Sequence, residues 1–396
     1  MSSSLEDLLK MALQKGASDL HLKAGIIPVI RRHGNLRPLA ANLPALSGDE
    51  IEAMVSDLMD DRQKAIFREY REVDLSFGIS GLGRFRLNVF QQRGTIRVVI
   101  RNIPHSVPTM EELNLPEALK KIIDSERGLV LVTGATGSGK SSTLAALVDE
   151  INRNRNLHIL TIEDPIEYLI RDRKSIITQR EIGVDAVSYS RALRAALRQD
   201  PDVILIGEMR DRETMEIALL AAETGHLVLS TVHTLDASET INRVVAAFEV
   251  HQQEQVRMQL AATLRGVISQ RLARRKNGEG FVPAVEILIN NPRIREMIEK
   301  KEAGSGIVAA IEDGRVGWGM QSFDQSLMEL VMKELISFEE ALSVSTSPED
   351  FRIRYSGVTR EGQGWTENAG HKKRLDEAWK GLDEIEIETL PERKVK

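Results

Sequence analysis

Residues 128–142 read Gly-Leu-Val-Leu-Val-Thr-Gly-Ala-Thr-Gly-Ser-Gly-Lys-Ser-Ser, and this stretch decides the fold of the larger part of the chain. Leu129–Thr133 form a short apolar run, typical of a parallel strand buried on both faces. The next eight residues match the pattern Gly-x-x-x-x-Gly-Lys-Ser/Thr, whose glycines let backbone N–H groups turn inward around a phosphate. The helix expected after this loop adds positive potential at its N-terminus. The stretch therefore predicts a strand, a phosphate-binding loop and a helix in succession.

The loop also predicts individual nucleotide contacts. We expect the Lys140 ammonium to reach the β- and γ-phosphate oxygens, and the Ser141 hydroxyl to bind Mg²⁺. A chance match to the pattern is the alternative, and the strand and helix on either side make it the weaker one. The predicted cofactors are ATP and Mg²⁺, and the predicted nucleotide contacts are Gly134, Ala135, Thr136, Gly137, Ser138, Gly139, Lys140, Ser141 and Ser142.

Three further apolar runs alternate with helical stretches downstream: Ile159–Glu163, Val203–Gly207 and Leu227–Val232. Strands that alternate with helices indicate a doubly wound α/β domain with a parallel sheet. From about His251 onward the spacing of apolar residues predicts mostly helix. Glu254–Leu272 and Phe323–Leu335 are the longest helices expected there.

Acidic residues follow two of these predicted strands. Glu163 ends the second strand and Glu208 follows the third. The carboxyl ends of parallel strands meet at the ligand crevice, so both carboxylates are predicted to face the γ-phosphate. Charged residues that simply cap strands at the solvent are the alternative. His226 and His233 flank the fourth strand, where a structural role and a γ-phosphate contact fit equally well.

The first 100 residues follow a different pattern. An amphipathic helix is predicted to end at Gly16, and a second to begin near Ser47, which has capping-box spacing with Glu50. This mixture of helices and strands predicts a small α+β domain. The expected strands are Asp19–Leu22, Val29–Arg32, Leu36–Leu39, Val73–Ile79, Arg84–Phe90 and Thr95–Ile100.

Arginines recur on the last two of those strands. Arg84 and Arg86 alternate with apolar residues, and Arg97 shares a face of the next strand with Arg101. A solvated outer face is the simplest interpretation. The alternative is that one of these arginines stabilises a phosphoryl transition state, a charge that phosphate-binding domains often take from elsewhere.

We predict an α+β domain at residues 1–102, a linker at 103–116 punctuated by three prolines, a larger α/β domain at 117–356 and a charged, flexible tail at 357–396. The chain has 53 Lys and Arg against 59 Asp and Glu, a net charge of −6 that argues against nonspecific nucleic-acid binding. Zero cysteines exclude disulfides, thiolate zinc sites and cysteine nucleophiles. With no signal peptide and no 18-residue apolar run, neither secretion by that route nor a transmembrane segment is expected.

Five motifs together resemble the successive boxes of the secretion ATPases, most of all the type IV pilus retraction ATPases of the PilT and PilU branch. They are Ala17–Leu22, Gly134–Ser141, Ile162–Tyr168, Asp200–Asp211 and Glu223–Thr234. The resemblance implies a PAS-like N-terminal domain, a RecA-like P-loop ATPase domain and a homohexamer with ATP between protomers. It further implies a motor for pilus retraction and twitching motility. Such a motor works in the cytoplasm at the inner face of the inner membrane, on a platform protein and in some cases with a paralogous ATPase.

The resemblance also implies residue roles. Lys140 and Ser141 are then the Walker A contacts, Glu208 the Walker B glutamate and general base, and Glu163 an acidic-box residue near Mg²⁺. The histidine-box residues are His226 and His233. The arginines expected to approach the nucleotide on domain closure are Arg86, Arg97 and Arg101.

Several alternatives stay open at this point. Pro292–Ile298 diverges from the signature of retraction motors, and with Asn290, Asn291 and the added tail it leans slightly toward a PilU-like accessory motor. A pilus-assembly or type II secretion ATPase typically carries a tetracysteine module, which this chain lacks. A RecA-like DNA translocase needs basic, aromatic-bearing loops, whereas only 4% of residues here are aromatic. A nucleotide-gated scaffold without hydrolysis is disfavoured by the two candidate carboxylates.

Overall fold

The structure is a computed structural model that describes residues 4–32, 34–103, 106–302 and 304–357. Residues 358–396 of the predicted tail lie outside the described residues. Among the residues described, no helix is long and apolar enough to cross a bilayer.

A six-stranded antiparallel sheet forms the N-terminal part, with strand order β3-β2-β1-β6-β5-β4. Its strands are β1 Asp19–Lys23, β2 Val29–Arg32, β3 Asn35–Pro38, β4 Glu72–Ile79, β5 Gly83–Gln92 and β6 Thr95–Ile103. The helices are α1 Leu5–Gln14, α2 Gly48–Ser56 and α3 Asp61–Tyr70. The predicted strands and the capping box of Ser47 with Glu50 are confirmed, whereas α3 was not expected.

Period-2 alternation explains the core of this sheet. On β5, Phe85, Leu87 and Val89 are buried, while the residues between them are partly exposed. Helices α1 and α2 pack against that apolar face through residues such as Leu8 and Ile51. Each fully buried aliphatic side chain contributes about 1.5–3 kcal/mol. The polar face of β5 is therefore left free to meet another part of the molecule.

A seven-stranded sheet forms the C-terminal part, with strand order β13-β12-β7-β11-β10-β8-β9. Six neighbouring strands are parallel, and β13 pairs antiparallel at one edge. The strands are β7 Gly128–Thr133, β8 His158–Glu163, β9 Ile176–Glu181, β10 Val203–Ile206, β11 Leu227–Val232, β12 Leu264–Arg274 and β13 Phe281–Ile289. Two separate apolar clusters cover its two faces, which confirms the doubly wound α/β prediction.

Helices complete this part of the chain. Those that precede or alternate with the first parallel strands are α4 Ala118–Ile123, α5 Lys140–Asn154, α6 Tyr189–Ala196, α7 Arg212–Glu223, α8 Ala237–Ala246 and α9 Gln253–Thr263. Those beyond the last strand are α10 Pro292–Glu299, α11 Gly304–Asp313, α12 Arg315–Trp318, α13 Phe323–Met332, α14 Phe338–Val344 and α15 Pro348–Tyr355. The helix predicted over Phe323–Leu335 corresponds to α13.

The helix predicted over Glu254–Leu272 is wrong. Helix α9 ends at Thr263, and β12 begins at the next residue. β12 lies between β7 and β13, so residues 266–270 are all buried, and its apolar residues Leu264, Val267 and Ile268 match a helical period by coincidence. Gly266 allows β12 to approach β13 closely, because a Cβ at this position would lie 2.8 Å from the carbonyl oxygen of Leu288 on β13. Pairing with β7 and β13, which a single sequence does not reveal, makes residues 264–272 a strand and not a helix.

Candidate functional site

A cavity of about 440 Å³ opens at the carboxyl ends of β7, β8, β10 and β11. The loop between β7 and α5 forms one wall of it, as predicted from the motif. Gly134 has φ of +143°, and a Cβ there would lie 2.4 Å from the Gln270 carbonyl oxygen and 2.6 Å from the Ser138 hydroxyl. Gly137 and Gly139 also have positive φ. Glycine at these positions lets the loop curl tightly enough for its N–H groups to converge on an anion.

Lys140 is the first residue of α5 and lies almost buried in this loop. Its ammonium donates hydrogen bonds of 2.9 Å to the carbonyl oxygens of Gly134 and Ala135. Burial lowers the pKa of Lys140 from its ordinary value, with Glu208 acting in the opposite sense. A cation held at the floor of a phosphate-sized loop is suited to neutralise phosphate oxygens.

Glu163 ends β8 and lines the same cavity. Its Oε1 accepts hydrogen bonds from the Thr161 hydroxyl at 2.6 Å and from the Gln179 amide at 3.0 Å. Burial raises the pKa of Glu163, and these hydrogen bonds offset only part of that effect. The carboxyl group is therefore fixed in orientation by residues of two neighbouring strands.

Glu208 lies two residues beyond β10 and has a different environment. Its Oε2 is 2.8 Å from the Arg210 guanidinium, and its Oε1 is 3.1 Å from Nε2 of His233. Burial alone would raise the pKa of Glu208, but the hydrogen bonds and charges of Arg210 and His233 outweigh it and lower the pKa. Glu163 and Glu208 thus have pKa values shifted in opposite directions, a pattern found where two acids have different roles.

The two predicted histidines lie at opposite ends of β11. His233 follows the strand, lines the cavity and contacts Glu208. His226 precedes the strand, and its Nδ1 is 3.0 Å from the carbonyl oxygen of Ala221. A six-residue strand is roughly 20 Å long, so within one chain His226 and the phosphate-binding loop lie at opposite ends of the parallel strands. Of the two histidines, for which the sequence left a structural role and a γ-phosphate contact open, only His233 therefore lies at the cavity of its own chain, and the role of His226 stays a prediction.

None of the predicted arginines lines the cavity of its own chain. Arg86 lies 3.9 Å from Asp74, and Arg101 donates a 3.0 Å hydrogen bond to Asp19. Arg97 lies 5.7 Å from the ring centroid of Phe90. Arg84, by contrast, pairs with the buried Glu181 of the C-terminal sheet. Arg84 therefore connects the N-terminal sheet to the C-terminal sheet.

Several cavity residues were not singled out from the sequence. Tyr168 forms a 2.8 Å hydrogen bond between its hydroxyl and that of Ser142, and Tyr189 projects from the start of α6. Burial raises the pKa of the Tyr189 phenol strongly, so it stays protonated as a donor. Arg210 is two residues beyond Glu208, and alternation on an extended segment was the available signal for it. Asp164 and Glu167 complete the acidic side of the cavity.

The chain is similar in sequence and in structure to known proteins of one family. Residues 2–334 match the family described as type II/IV secretion system protein. The chain is 48% identical to the type IV pilus retraction ATPase PilT of Pseudomonas aeruginosa over 347 residues, 88% of this chain and 99% of the relative. It is 39% identical to the type IV pilus ATPase PilU of the same organism, over 88% of this chain and 90% of the relative. A crystal structure of the pilus retraction motor PilT with bound ADP superposes with a TM-score of 0.81 at 43% identity, covering 88% of this chain and 99% of that one.

Proposed function

The chain belongs to the family of type II/IV secretion system proteins, and we propose that it hydrolyses ATP to power retraction of a type IV pilus. The observation that carries this proposal is the likeness to PilT along 99% of that relative. The phosphate-binding loop and two differently tuned carboxylates agree with it. Nucleotide binding follows from the same likeness, since the PilT structure holds ADP.

The chemistry we propose relies on positioning and electrostatics. The loop from Gly134 to Ser141 holds the phosphates, and Lys140 neutralises charge on the β- and γ-phosphate oxygens. Glu208, kept ionised by Arg210 and His233, accepts a hydrogen bond from the attacking water and orients it. Arg210 and His233 are therefore positioning residues for that carboxylate.

The residues of the cavity suit Mg²⁺ that arrives with the nucleotide. Within residues 4–32, 34–103, 106–302 and 304–357, no cluster of three or more His, Asp or Glu side chains is arranged to hold a metal ion by itself. Ser141 and Glu163 line the same cavity, and hydroxyl and carboxylate oxygens are ligands that Mg²⁺ accepts beside phosphate oxygens. When bound, Mg²⁺ would withdraw charge from the γ-phosphate.

We further propose a homohexamer at the cytoplasmic face of the inner membrane, acting on a pilus platform protein. In such a ring Arg86, Arg97 and Arg101, none of which lines the cavity of its own chain, become available to a neighbouring subunit. The exposed charges of Arg101 and Arg86 suit them to that task. A neighbour's arginine would add positive charge to a cavity that four acidic residues line beside Lys140 and Arg210.

A PilU-like accessory role is the second candidate. The 39% identity along 90% of PilU supports it, and the higher identity to PilT favours the principal motor. Asn290 and Asn291, which favoured the accessory role in the sequence, have local tasks. Asn290 donates 2.8 Å hydrogen bonds to the carbonyl oxygens of Ala261 and Leu264, and Asn291 caps α10.

Deletion of the gene followed by imaging of surface pili tests the proposal. A retraction motor predicts hyperpiliated cells without twitching, restored by the wild-type gene but not by the Lys140→Ala gene. Bald cells would instead assign the chain to pilus assembly and overturn the proposal. Normal piliation with weakened retraction under load would indicate the accessory role.

A further inference from the structure

Glu181, the last residue of β9, lies where the N-terminal sheet meets the nucleotide cavity. Its side chain is almost fully buried. Oε1 accepts a 2.7 Å hydrogen bond from the Ser76 hydroxyl of β4, and Oε2 accepts a 2.8 Å hydrogen bond from the Arg84 guanidinium of β5. One buried carboxylate thus receives a hydroxyl and a cation from the other part of the chain.

The same carboxylate also contacts the wall of the cavity. Its Oε2 lies 3.4 Å from the backbone N–H of Ile166, within the segment 164–168. Four residues of that segment line the nucleotide cavity, namely Asp164, Pro165, Glu167 and Tyr168. In the pairing of β8 with β9, Glu181 is opposite Glu163. Glu181 therefore connects the N-terminal sheet to the acidic wall without reaching the cavity itself.

Gln179 supports the same wall from the same face of β9, since residues two apart on a strand share a face. Its amide donates 3.0 Å hydrogen bonds to Glu163 and to the carbonyl oxygen of Tyr168, and its Oε1 accepts from the N–H of Ile170. β9 thus holds the acidic wall at several points, and Glu181 is the point that also binds the N-terminal sheet.

Ser76 and Arg84 are the residues of the β4–β5 hairpin that donate hydrogen bonds to Glu181. A cavity of about 600 Å³ separates the turn between β4 and β5 from Leu169 and Arg171. The Ser76 and Arg84 hydrogen bonds to Glu181 give movement of the hairpin a direct path to this wall, because Glu181 also contacts the Ile166 N–H. The buried Nε of Arg84 has no partner within the described residues, so the guanidinium depends on Glu181 for its charge-assisted bond.

We propose that Glu181 is a positioning residue for ATP hydrolysis, which couples the placement of the N-terminal β4–β5 hairpin to the placement of the 164–168 wall. The inference rests on the proposed ATPase function. Without this coupling, the 164–168 wall is misplaced in the transition state, so the rate of hydrolysis falls. The affinity for nucleotide in the ground state changes much less. Misplacement on the order of 1 Å costs up to about a hundredfold in rate.

The test uses the full chain with Glu181→Gln, Arg84→Gln and the double variant. Glu312→Gln is the matched control, because Glu312 likewise accepts from one serine and one arginine, Ser322 and Arg354, but within the C-terminal helices. We expect kcat to fall roughly tenfold in each single variant with KM within threefold, and the double variant to be no slower than the worse single. A double variant whose loss equals the product of the single losses would overturn the proposal.

Hydrogen–deuterium exchange supplies a readout that needs no hydrolysis. Glu181→Gln and Arg84→Gln should both raise exchange at residues 164–171, and Glu312→Gln should not. Unchanged exchange at residues 164–171 would refute the coupling even if the chain proved to be no ATPase. Failure of the coupling and failure of the proposed ATPase function therefore give different results. If Glu181→Gln does not fold, Ser76→Ala and Arg84→Gln replace it in both experiments. Both residues are partly exposed on the hairpin, and each substitution removes one hydrogen bond to Glu181.

Discussion

Replacing Glu208 with glutamine separates the chemistry of the site from its architecture. Glutamine keeps the size of the side chain and one accepting oxygen, but it loses the charge that Arg210 and His233 hold in place. A general base or water-orienting carboxylate contributes about 10²–10⁴-fold to rate. At about 1.4 kcal/mol per decade, the activation barrier should rise by about 3–5 kcal/mol. We expect kcat to fall at least a hundredfold with KM for ATP within threefold.

Stability should change little in the same variant. The Arg210 side chain is 78% exposed and His233 is 42% exposed, so both return to water when the carboxylate is lost. Pairs of this kind contribute at most about 1 kcal/mol, which corresponds to about 2–4 °C in melting temperature for a domain of this size. A phosphate-release assay and a thermal melt on the same preparations measure both quantities.

Glu213→Gln is the control, because it removes an equally charged side chain that is paired with Arg194 on the outside of α7. It should retain full kcat. If Glu208→Gln keeps more than a tenth of wild-type kcat, the assignment of Glu208 fails. If Glu163→Gln is then the inactive variant, the roles of the two carboxylates are reversed.

Other predictions follow from the same contacts. Lys140→Ala should weaken nucleotide binding about 10–100-fold, the value of a lost charge-assisted hydrogen bond, and abolish turnover; equilibrium binding of a fluorescent nucleotide measures it. His233→Ala should lower kcat about three- to tenfold, and His226→Ala should have a clearly smaller effect, because only His233 contacts Glu208; steady-state kinetics on both compares them. Glu286 is buried and accepts from the Ala237 N–H; burial raises its pKa from 4.5 to about 7, so the folded state binds the extra proton between those values and stability falls as pH rises through that window. The free energy of unfolding of Glu286→Gln should therefore exceed that of wild type at pH 8, by up to about 3 kcal/mol, and the two should be equal near pH 4.5. Denaturant unfolding of both proteins at the two pH values measures this. A difference in stability that does not change with pH would contradict the prediction.

The elements that the sequence predicted well are those with a local signature. The strand Gly128–Thr133 is buried throughout and apolar from Leu129 to Val132, and the glycines after it favour a tight loop. The hairpin strands β4 and β5 alternate strictly, so their ends were predicted to within two residues at most positions. Motif and period carry such information within a few residues of chain.

The elements that were missed depend on distant partners. β9 is an edge strand with only one fully buried residue, so its sequence contains no apolar run that would predict a strand. β12 reads equally as helix or strand until β7 and β13 pack on either side of it. The contacts of Glu181 follow from the order of strands in the sheet, which no spacing along the chain encodes. The separation of His226 from His233, by contrast, follows from the six residues of β11 between them.

The domain boundaries at 102, 116 and 356 stay predictions, as do the roles of the site residues. Tyr168, Tyr189 and Arg210 reach the cavity by tertiary folding, and only Arg210 had a local signal. The acids Glu163 and Glu208 were identified together because the carboxyl ends of parallel strands converge. Their different pKa shifts required the surrounding arginine, histidine and amide groups to be located.

We infer that the loop from Gly134 to Ser141 binds ATP and that a ring of copies of this chain completes its hydrolysis. Turnover measured across protein concentration, with oligomeric state followed by light scattering in the same samples, tests it most directly. We predict that activity per chain rises with the hexamer fraction and is negligible in the monomer. Full activity in a strictly monomeric sample would contradict the account.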